Sequence, residues 1–257
     1  MKLERTRLLC LEISYNMRIL ILMITGMFCV FTGHAQKSNV SFLASDGLEV
    51  TADLYVGNPV SHYIILFHQA GSSRGEFQDI APRFQKMGYN VLAVDLRSGS
   101  NMNYVNNQTA ENAREKNLPN SMFDAHKDIS AAIRYVGEQT SIPVVLLGSS
   151  YSASLVLEEA LANPKVKAVI SFSPGEYFDG HSVKESIAGL NKPAFITATV
   201  EEEPYVTELV KDLLQYTLFV PQGGAGQHGA RALWKENETS SEYWLALIMF
   251  IRSVENI

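Results

Sequence analysis

The apolar positions along the chain change their period once. Residues 38–57 alternate apolar and polar, as SNVSFLAS and LEVTADLYVG on either side of Asp46-Gly47. Two half-buried runs joined at Asp-Gly predict a β-hairpin. Beyond it come short unbroken apolar runs: Tyr63–Phe67, Val91–Val94, Val144–Leu147, Val166–Phe172, Ala194–Thr197 and Thr217–Val220. Runs of that length predict strands buried on both faces. Helical spacing fills the intervals. It covers Phe77–Met87 before Gly88, Phe123–Gln139 with Ile129, Ile133 and Val136 on one face, and Ser150–Ala162 before Asn163-Pro164. Tyr205–Gln215 and Ser241–Ser253 complete the set. Strands alternating with helices predict an α/β fold, a mostly parallel central sheet flanked by helices. No repeat or low-complexity linker divides residues 36–257, which read as one domain. One stretch does not fit a short loop. Ser98–Met122 is polar and Asn-rich, and loops of that length in compact domains are usually functional lids or mobile segments.

The N-terminal residues have a different pattern. From Met17 the chain reads MRILILMITGMFCVFTGHAQ. Arg18, the apolar run Ile19–Phe31, and small residues Gly33 and Ala35 at −3 and −1 make the layout of a secretory signal peptide cut after Ala35. The run is shorter than the roughly 20 apolar residues a membrane span needs. Residues 1–16 read as an extension upstream of Met17. The expected localisation is therefore periplasmic or extracellular, with no stable membrane insertion after processing. Both cysteines, Cys10 and Cys29, precede the expected cut, and Phe28 before Cys29 is a poor setting for a lipoprotein box. The remaining chain would have no thiol and no disulfide framework.

Of the 257 residues, 46% are hydrophobic and 19% charged, with net charge −6. The composition is globular, and the acidic balance excludes a basic nucleic-acid footprint. No His/Cys/Asp/Glu spacing matches a metal site, so neither metal nor cofactor is expected.

Four segments carry candidate chemistry. Gly148-Ser149-Ser150-Tyr151-Ser152 joins the run PVVLL directly to a helical pattern. Strand, tight turn and helix is the setting of a nucleophile elbow, whose neighbours must be small so that the Ser150 hydroxyl stands exposed. Ser152 occupies the place where glycine is usual. The competing reading makes Ser150 an ordinary helix N-cap. His228 lies in the glycine-rich GGAGQHG after the last predicted strand, where an imidazole can accept a serine proton and return it. A carboxylate should follow the preceding strand to orient that imidazole. Glu201-Glu202-Glu203 follows it, with Glu202 at the expected count from Pro193 and Glu201 and Glu203 as alternatives. Finally, His68-Gln69-Ala70-Gly71-Ser72-Ser73 follows YIILF, where backbone N–H groups can face a developing oxyanion together with the Tyr151 N–H. His68 itself reads as a loop-shaping residue.

Together, HQAGSS, NVLAVDLRSGS, LLGSSYSA and GAGQHG resemble the α/β-hydrolase family, near its dienelactone hydrolase-like branch. The resemblance spans about residues 60–230. It implies a nucleophile–acid–histidine triad on Ser150, Glu202 and His228, and an oxyanion hole from Tyr151 and one of Gln69 or Ala70. It implies cleavage of a small-molecule carboxylic ester through an acyl-enzyme. The final serine of the elbow and the glutamate acid depart from the commoner pattern, and the thiol nucleophile of some dienelactone hydrolases is absent. A catalytically silent binding protein, an acyltransferase or a peptidase of the same fold are the rival readings.

Specificity is expected from the 98–122 insertion, with Tyr104 as a wall and Arg74, Arg97 and Arg114 as anion contacts or surface arginines. The short cap points to small or moderate acyl groups. Asp95 and Asp124 read as caps, not catalytic acids. Trp234, Trp244, Leu245, Ile248, Met249 and Phe250 read as packing residues of the last helix.

Overall fold

The computed structural model describes residues 36–255. The expected signal segment, the upstream extension, Cys10 and Cys29 lie outside the described residues. Each apolar run becomes a strand. In chain order β1 (Gln36–Leu43) and β2 (Glu49–Val56) form the antiparallel hairpin, with Val40 opposite Ala52. Its turn places Gly47 at a positive φ of 78°. Then come β3 (Tyr63–Phe67), α1 (Ile80–Lys86), β4 (Asn90–Val94), a two-residue hairpin of β5 (Asn101–Met102) and β6 (Val105–Asn106), and α2 (Gln108–Glu115). They are followed by α3 (His126–Gln139), β7 (Val144–Ser149), α4 (Tyr151–Ala162), β8 (Val166–Phe172), α5 (Val183–Ser186) and β9 (Ala194–Thr197). The chain ends with α6 (Glu203–Val210), β10 (Tyr216–Phe219) and α7 (Ser240–Glu255).

The main sheet has the order β1-β2-β4-β3-β7-β8-β9-β10. It is parallel from β4 to β10, and β2 joins β4 antiparallel. Successive strand residues feed opposite faces. Ile65 and Phe67 pack under α3 and α4, whereas Ile64 and Leu66 pack under α1 and α7. Both faces are covered, so the strands read as continuous apolar runs. Each such large side chain, taken fully out of water, contributes roughly 1.5–3 kcal/mol.

Several expectations need correction. The edge strand β10 is exposed or half-buried along its length, because only β9 pairs with it. The helix expected at Phe77–Met87 is split into a 3₁₀ turn, Arg74–Phe77, and α1. The helix expected at Tyr205–Gln215 runs Glu203–Val210. The 98–122 insertion contains a β-hairpin and α2, capped by the Asn107 side chain on the Ala110 N–H (2.8 Å). On α7, Leu245 and Met249 point outward (62% and 65% exposed), and the buried face is Tyr243, Trp244, Leu247, Phe250, Ile251 and Val254. Trp244 packs on Phe84, as an anchor of α7 should. Trp234 instead donates from Nε1 to the Glu76 carbonyl (2.9 Å).

Two of the three arginines expected as anion contacts or surface residues are buried. Arg97 is fully enclosed, paired with Asp128 (2.7 Å) and Asp46 (2.6 Å). Arg74 is clamped between Asp53 (3.1 Å) and Asp95. Charged groups this deep persist only when paired and hydrogen-bonded. Arg114 is exposed as expected. Asp95 acts as a cap from a distance, accepting the Gln108 N–H at the start of α2 (2.9 Å) and the Arg74 N–H (2.8 Å). Asp124 accepts from the Ser121 N–H and hydroxyl at the turn before α3.

Candidate active site

Register brings the carboxyl ends of four strands level. Phe67 of β3 lies beside Gly148 of β7, Ser149 beside Phe172 of β8, and Phe172 beside Thr197 of β9. The segments leaving these ends share one edge of the sheet.

Ser150 follows β7 at φ 60° and ψ −123°, and its side chain makes no cap hydrogen bond. The N-cap reading therefore fails. A non-glycine residue held there stores backbone strain, which persists only where the surroundings enforce it. The Ser150 N–H donates to the Phe172 carbonyl (2.8 Å). Gly148 permits the tight turn, since a Cβ there would stand 2.4 Å from the Ser152 carbonyl oxygen. Ser152 has a definite task in place of glycine. Its hydroxyl accepts from the Ser149 N–H (2.9 Å) and lies 2.8 Å from the Phe67 carbonyl as donor, tying the elbow to β3.

His228 Nε2 lies 2.9 Å from Ser150 Oγ, and its Nδ1 lies 2.5 Å from Glu202 Oε1. Of the three glutamates, only Glu202 reaches the imidazole; Glu201 and Glu203 are exposed and line an outer groove. A reciprocal cap decides the matter. The Thr199 N–H donates to Glu202 Oε2 (2.9 Å), and the Glu202 N–H donates to the Thr199 hydroxyl (3.1 Å). The Ser173 hydroxyl is a second donor to Oε2 (2.7 Å). Burial raises the Glu202 carboxyl, but donors from His228, Thr199 and Ser173 outweigh it and leave it at about 2. Ser173, at φ 55°, also accepts from the Gly229 N–H (3.1 Å), so it joins the acid to the histidine loop. Gly229 follows the histidine because a Cβ there would come within 2.6 Å of Ser149 Oγ.

The loop after β3 divides its two candidate donors. The Gln69 N–H is held by Glu76 Oε2 (3.0 Å), so it is not free for an oxyanion. The N–H groups of Ala70 and Tyr151 have no partner among the described residues. Glu76 is fully buried, and its Oε1 accepts from the Ser149 hydroxyl (2.7 Å), which in turn accepts the Ala230 N–H. Burial pushes the Glu76 carboxyl up.

His68 is fully buried. Its Nε2 must accept, because the Leu96 N–H points at it (2.9 Å), so Nδ1 carries the proton and donates to the Gln69 carbonyl (2.7 Å). Burial lowers it to about 4. It is a neutral brace for the loop, as the sequence indicates.

Arg74, expected as a substrate contact, spends its guanidinium on Asp53 and Asp95 and offers nothing to a ligand. Tyr104 stands fully exposed at the tip of the small hairpin, at φ 62°. It borders a cleft of about 490 Å³ with Gln227, Arg231 and Trp234. A second cleft, about 530 Å³, lies by Tyr177 and Phe123. Sequence reasoning missed Glu76, Ser149, Ser173 and Tyr177. Ser173 had a signal: a small polar residue directly after an apolar run at the same sheet edge. Among the described residues no cluster of His, Cys, Asp and Glu is arranged to hold a metal ion, and no helix is long and apolar enough to cross a membrane.

The sequence profile described as serine aminopeptidase, S33 matches residues 58–217. No curated protein matches the chain. Among solved structures, the esterase Pf2001 of Pyrococcus furiosus is 15% identical, with TM-score 0.65 over 85% of this chain and 90% of its own. The dienelactone hydrolase of Anabaena variabilis is 16% identical, with TM-score 0.62 over 84% of this chain and 96% of its own. The α/β hydrolase GrgF of Penicillium sp. is 12% identical, with TM-score 0.66 over 86% of this chain and 100% of its own. At these identities the likeness is one of fold.

Proposed function

Because the chain belongs to the serine aminopeptidase S33 family of α/β hydrolases, we propose that it is a serine hydrolase that cleaves carboxylic esters through an acyl-enzyme on Ser150. The observation that carries this reading is the unbroken chain from Ser150 Oγ to His228 Nε2 (2.9 Å) and from His228 Nδ1 to Glu202 Oε1 (2.5 Å). His228 takes the Ser150 proton as the hydroxyl attacks the ester carbonyl. Glu202 holds the imidazole by Nδ1–H and stabilises its cation. The carbonyl oxygen becomes an oxyanion within reach of the free N–H groups of Tyr151 and Ala70, preorganised by the α4 start and the Glu76-braced loop. His228 passes its proton to the departing alcohol. Water then attacks the acyl carbon with His228 again as base, and the acid leaves Ser150 free. Attack needs an imidazole with a free Nε2 lone pair to accept the proton.

The test is turnover of p-nitrophenyl acetate and butyrate by the chain and by Ser150→Ala, with fluorophosphonate labelling alongside. Turnover and labelling that both vanish in the variant support the reading. Turnover equal in both proteins overturns Ser150 as nucleophile. No turnover and no labelling of the parent favours a binding protein on this fold. A p-nitroanilide of an amino acid, run beside the esters, separates amide from ester preference. An added alcohol that diverts product from the free acid to a new ester identifies an acyltransferase.

We also propose export to the periplasm or outside the cell after cleavage behind Ala35, on the strength of the residue pattern at 17–35. Intact mass of the recovered protein tests it: a chain beginning at Gln36 is expected.

A further inference from the structure

Three directions leave Ser150 Oγ, and two have tasks in the proposed reaction. His228 lies on one side, so the leaving oxygen must lie there to collect its proton. The unpartnered N–H groups of Tyr151 and Ala70 define another in the proposed reaction, where the oxyanion belongs. The third is taken by Tyr177. Its hydroxyl donates to the Ser173 carbonyl (2.8 Å), and Ser173 in turn holds Glu202 by its own hydroxyl, so the Tyr177 ring stands against the triad, with Ser150 among the groups acting on its hydroxyl. A tetrahedral carbon on Ser150 has one remaining substituent, the acyl chain, and that chain must run past Tyr177.

Past Tyr177 lies the cleft of about 530 Å³. Its surface is aromatic. The Phe123 ring sits 5.4 Å from Phe178 and 4.8 Å from His181. Phe123 is 39% exposed, although its partner Phe178 is buried. An aromatic ledge left open on the Tyr177 side of the site, with Met122 next to it, offers an apolar surface of about the size of one ring. The Asp179 carboxylate lies at the rim and belongs to no ion pair among the described residues. It repels an anionic acyl tail.

Resting on the reading of Ser150 as nucleophile, we propose that this cleft is the acyl subsite and that the preferred substrates are esters of neutral acids carrying an aryl group, seated on Phe123 with Tyr177 as the passage from the serine. Acids of the phenylacetic and phenylpropanoic type fit. Long lipid acids and acids with a second carboxylate do not. The moderate acyl size expected from the short cap agrees with this volume.

The experiment compares kcat/KM for p-nitrophenyl acetate, p-nitrophenyl 3-phenylpropanoate and p-nitrophenyl hemiglutarate in the full chain, Phe123→Ala and Asp179→Asn. The aryl-to-acetate ratio should exceed one in the parent and fall about 10-fold in Phe123→Ala, the scale of one apolar contact in a pocket. The hemiglutarate-to-acetate ratio should rise several-fold in Asp179→Asn. A ratio unmoved in Phe123→Ala overturns the subsite, because a general loss of fold lowers all esters together and leaves ratios alone. A second measurement needs no turnover. Binding of 4-phenylbutan-2-one, a neutral aryl ketone, to Ser150→Ala should weaken when Phe123→Ala is added, and equal binding overturns the ledge. If the parent turns over no ester, the proposed reaction falls, while the ketone still reports whether the cleft takes an aryl group.

Discussion

Replacing His68 by glutamine should flatten the acid side of the stability profile. His68 is fully buried, and burial brings it from 6.5 down to about 4. The unfolded chain therefore binds a proton that the folded chain refuses. The stability linked to this group is complete above the unfolded value of 6.5 and is lost as pH falls towards 4. Between pH 7 and pH 5 the loss covers about 1.5 pH units, and at 1.36 kcal/mol per unit it amounts to about 2 kcal/mol. A glutamine keeps an acceptor for the Leu96 N–H and does not titrate. Losing the bond to the Gln69 carbonyl should cost about 1–2 kcal/mol at pH 7. Other buried groups also respond to pH. Burial raises Asp95 and Glu76, which opposes the His68 effect, so the slope of the parent alone is not diagnostic. The difference between the two proteins isolates His68. The assay is urea unfolding followed by the fluorescence of Trp234 and Trp244 at pH 7.0, 6.0 and 5.0. The expected result is a gap between parent and variant that closes by about 2 kcal/mol from pH 7 to pH 5. Parallel profiles would refute the neutral brace and leave His68 a protonated or solvated residue.

Three further outcomes are expected. Glu202→Gln should lower kcat for p-nitrophenyl acetate by roughly 10³–10⁴-fold, while Glu201→Gln and Glu203→Gln stay within about twofold, since neither side chain reaches His228; equal losses in all three would remove Glu202 from the chain of contacts. Ser152→Gly, the commoner elbow residue, should cost about 1–3 kcal/mol in urea unfolding by leaving the Ser149 N–H and Phe67 carbonyl short of a partner, and its ester rates should change far less than those of Glu202→Gln. Arg74→Met should cost about 3–5 kcal/mol, because Asp95 would remain buried without its cation, whereas Asp53 keeps Lys37; a stable variant with a raised KM for an anionic ester would instead make Arg74 a substrate contact.

Much of this fold is legible in the sequence. The continuous apolar runs located β3, β4, β7, β8 and β9, because a strand covered on both faces leaves no room for polar alternation. Gly148 and the small residues around Ser150 marked the elbow, because only that composition permits so close a turn. These are local signals, set by a few neighbouring residues and a backbone period. The 98–122 insertion was legible as an insertion only. Its helix α2 is polar and short, and Asn107 starts it by reaching groups far along the chain, among them the Leu96 and Ser72 carbonyls.

Only the tertiary structure decided which glutamate meets His228 and which N–H remains free. Glu201, Glu202 and Glu203 are equivalent in type and adjacent in sequence; Ser173, 29 residues away, and the Thr199 cap choose between them. Gln69 and Ala70 are neighbours too, and Glu76 removes the first by taking its N–H. Arg97 reads as a surface residue until Asp46, 51 residues away, closes over it. The strand and turn pattern is written locally, since period and steric size act between near neighbours. The direction of a hydrogen bond and the burial of a charge depend on partners distant in the chain, and those meet only when the sheet is assembled.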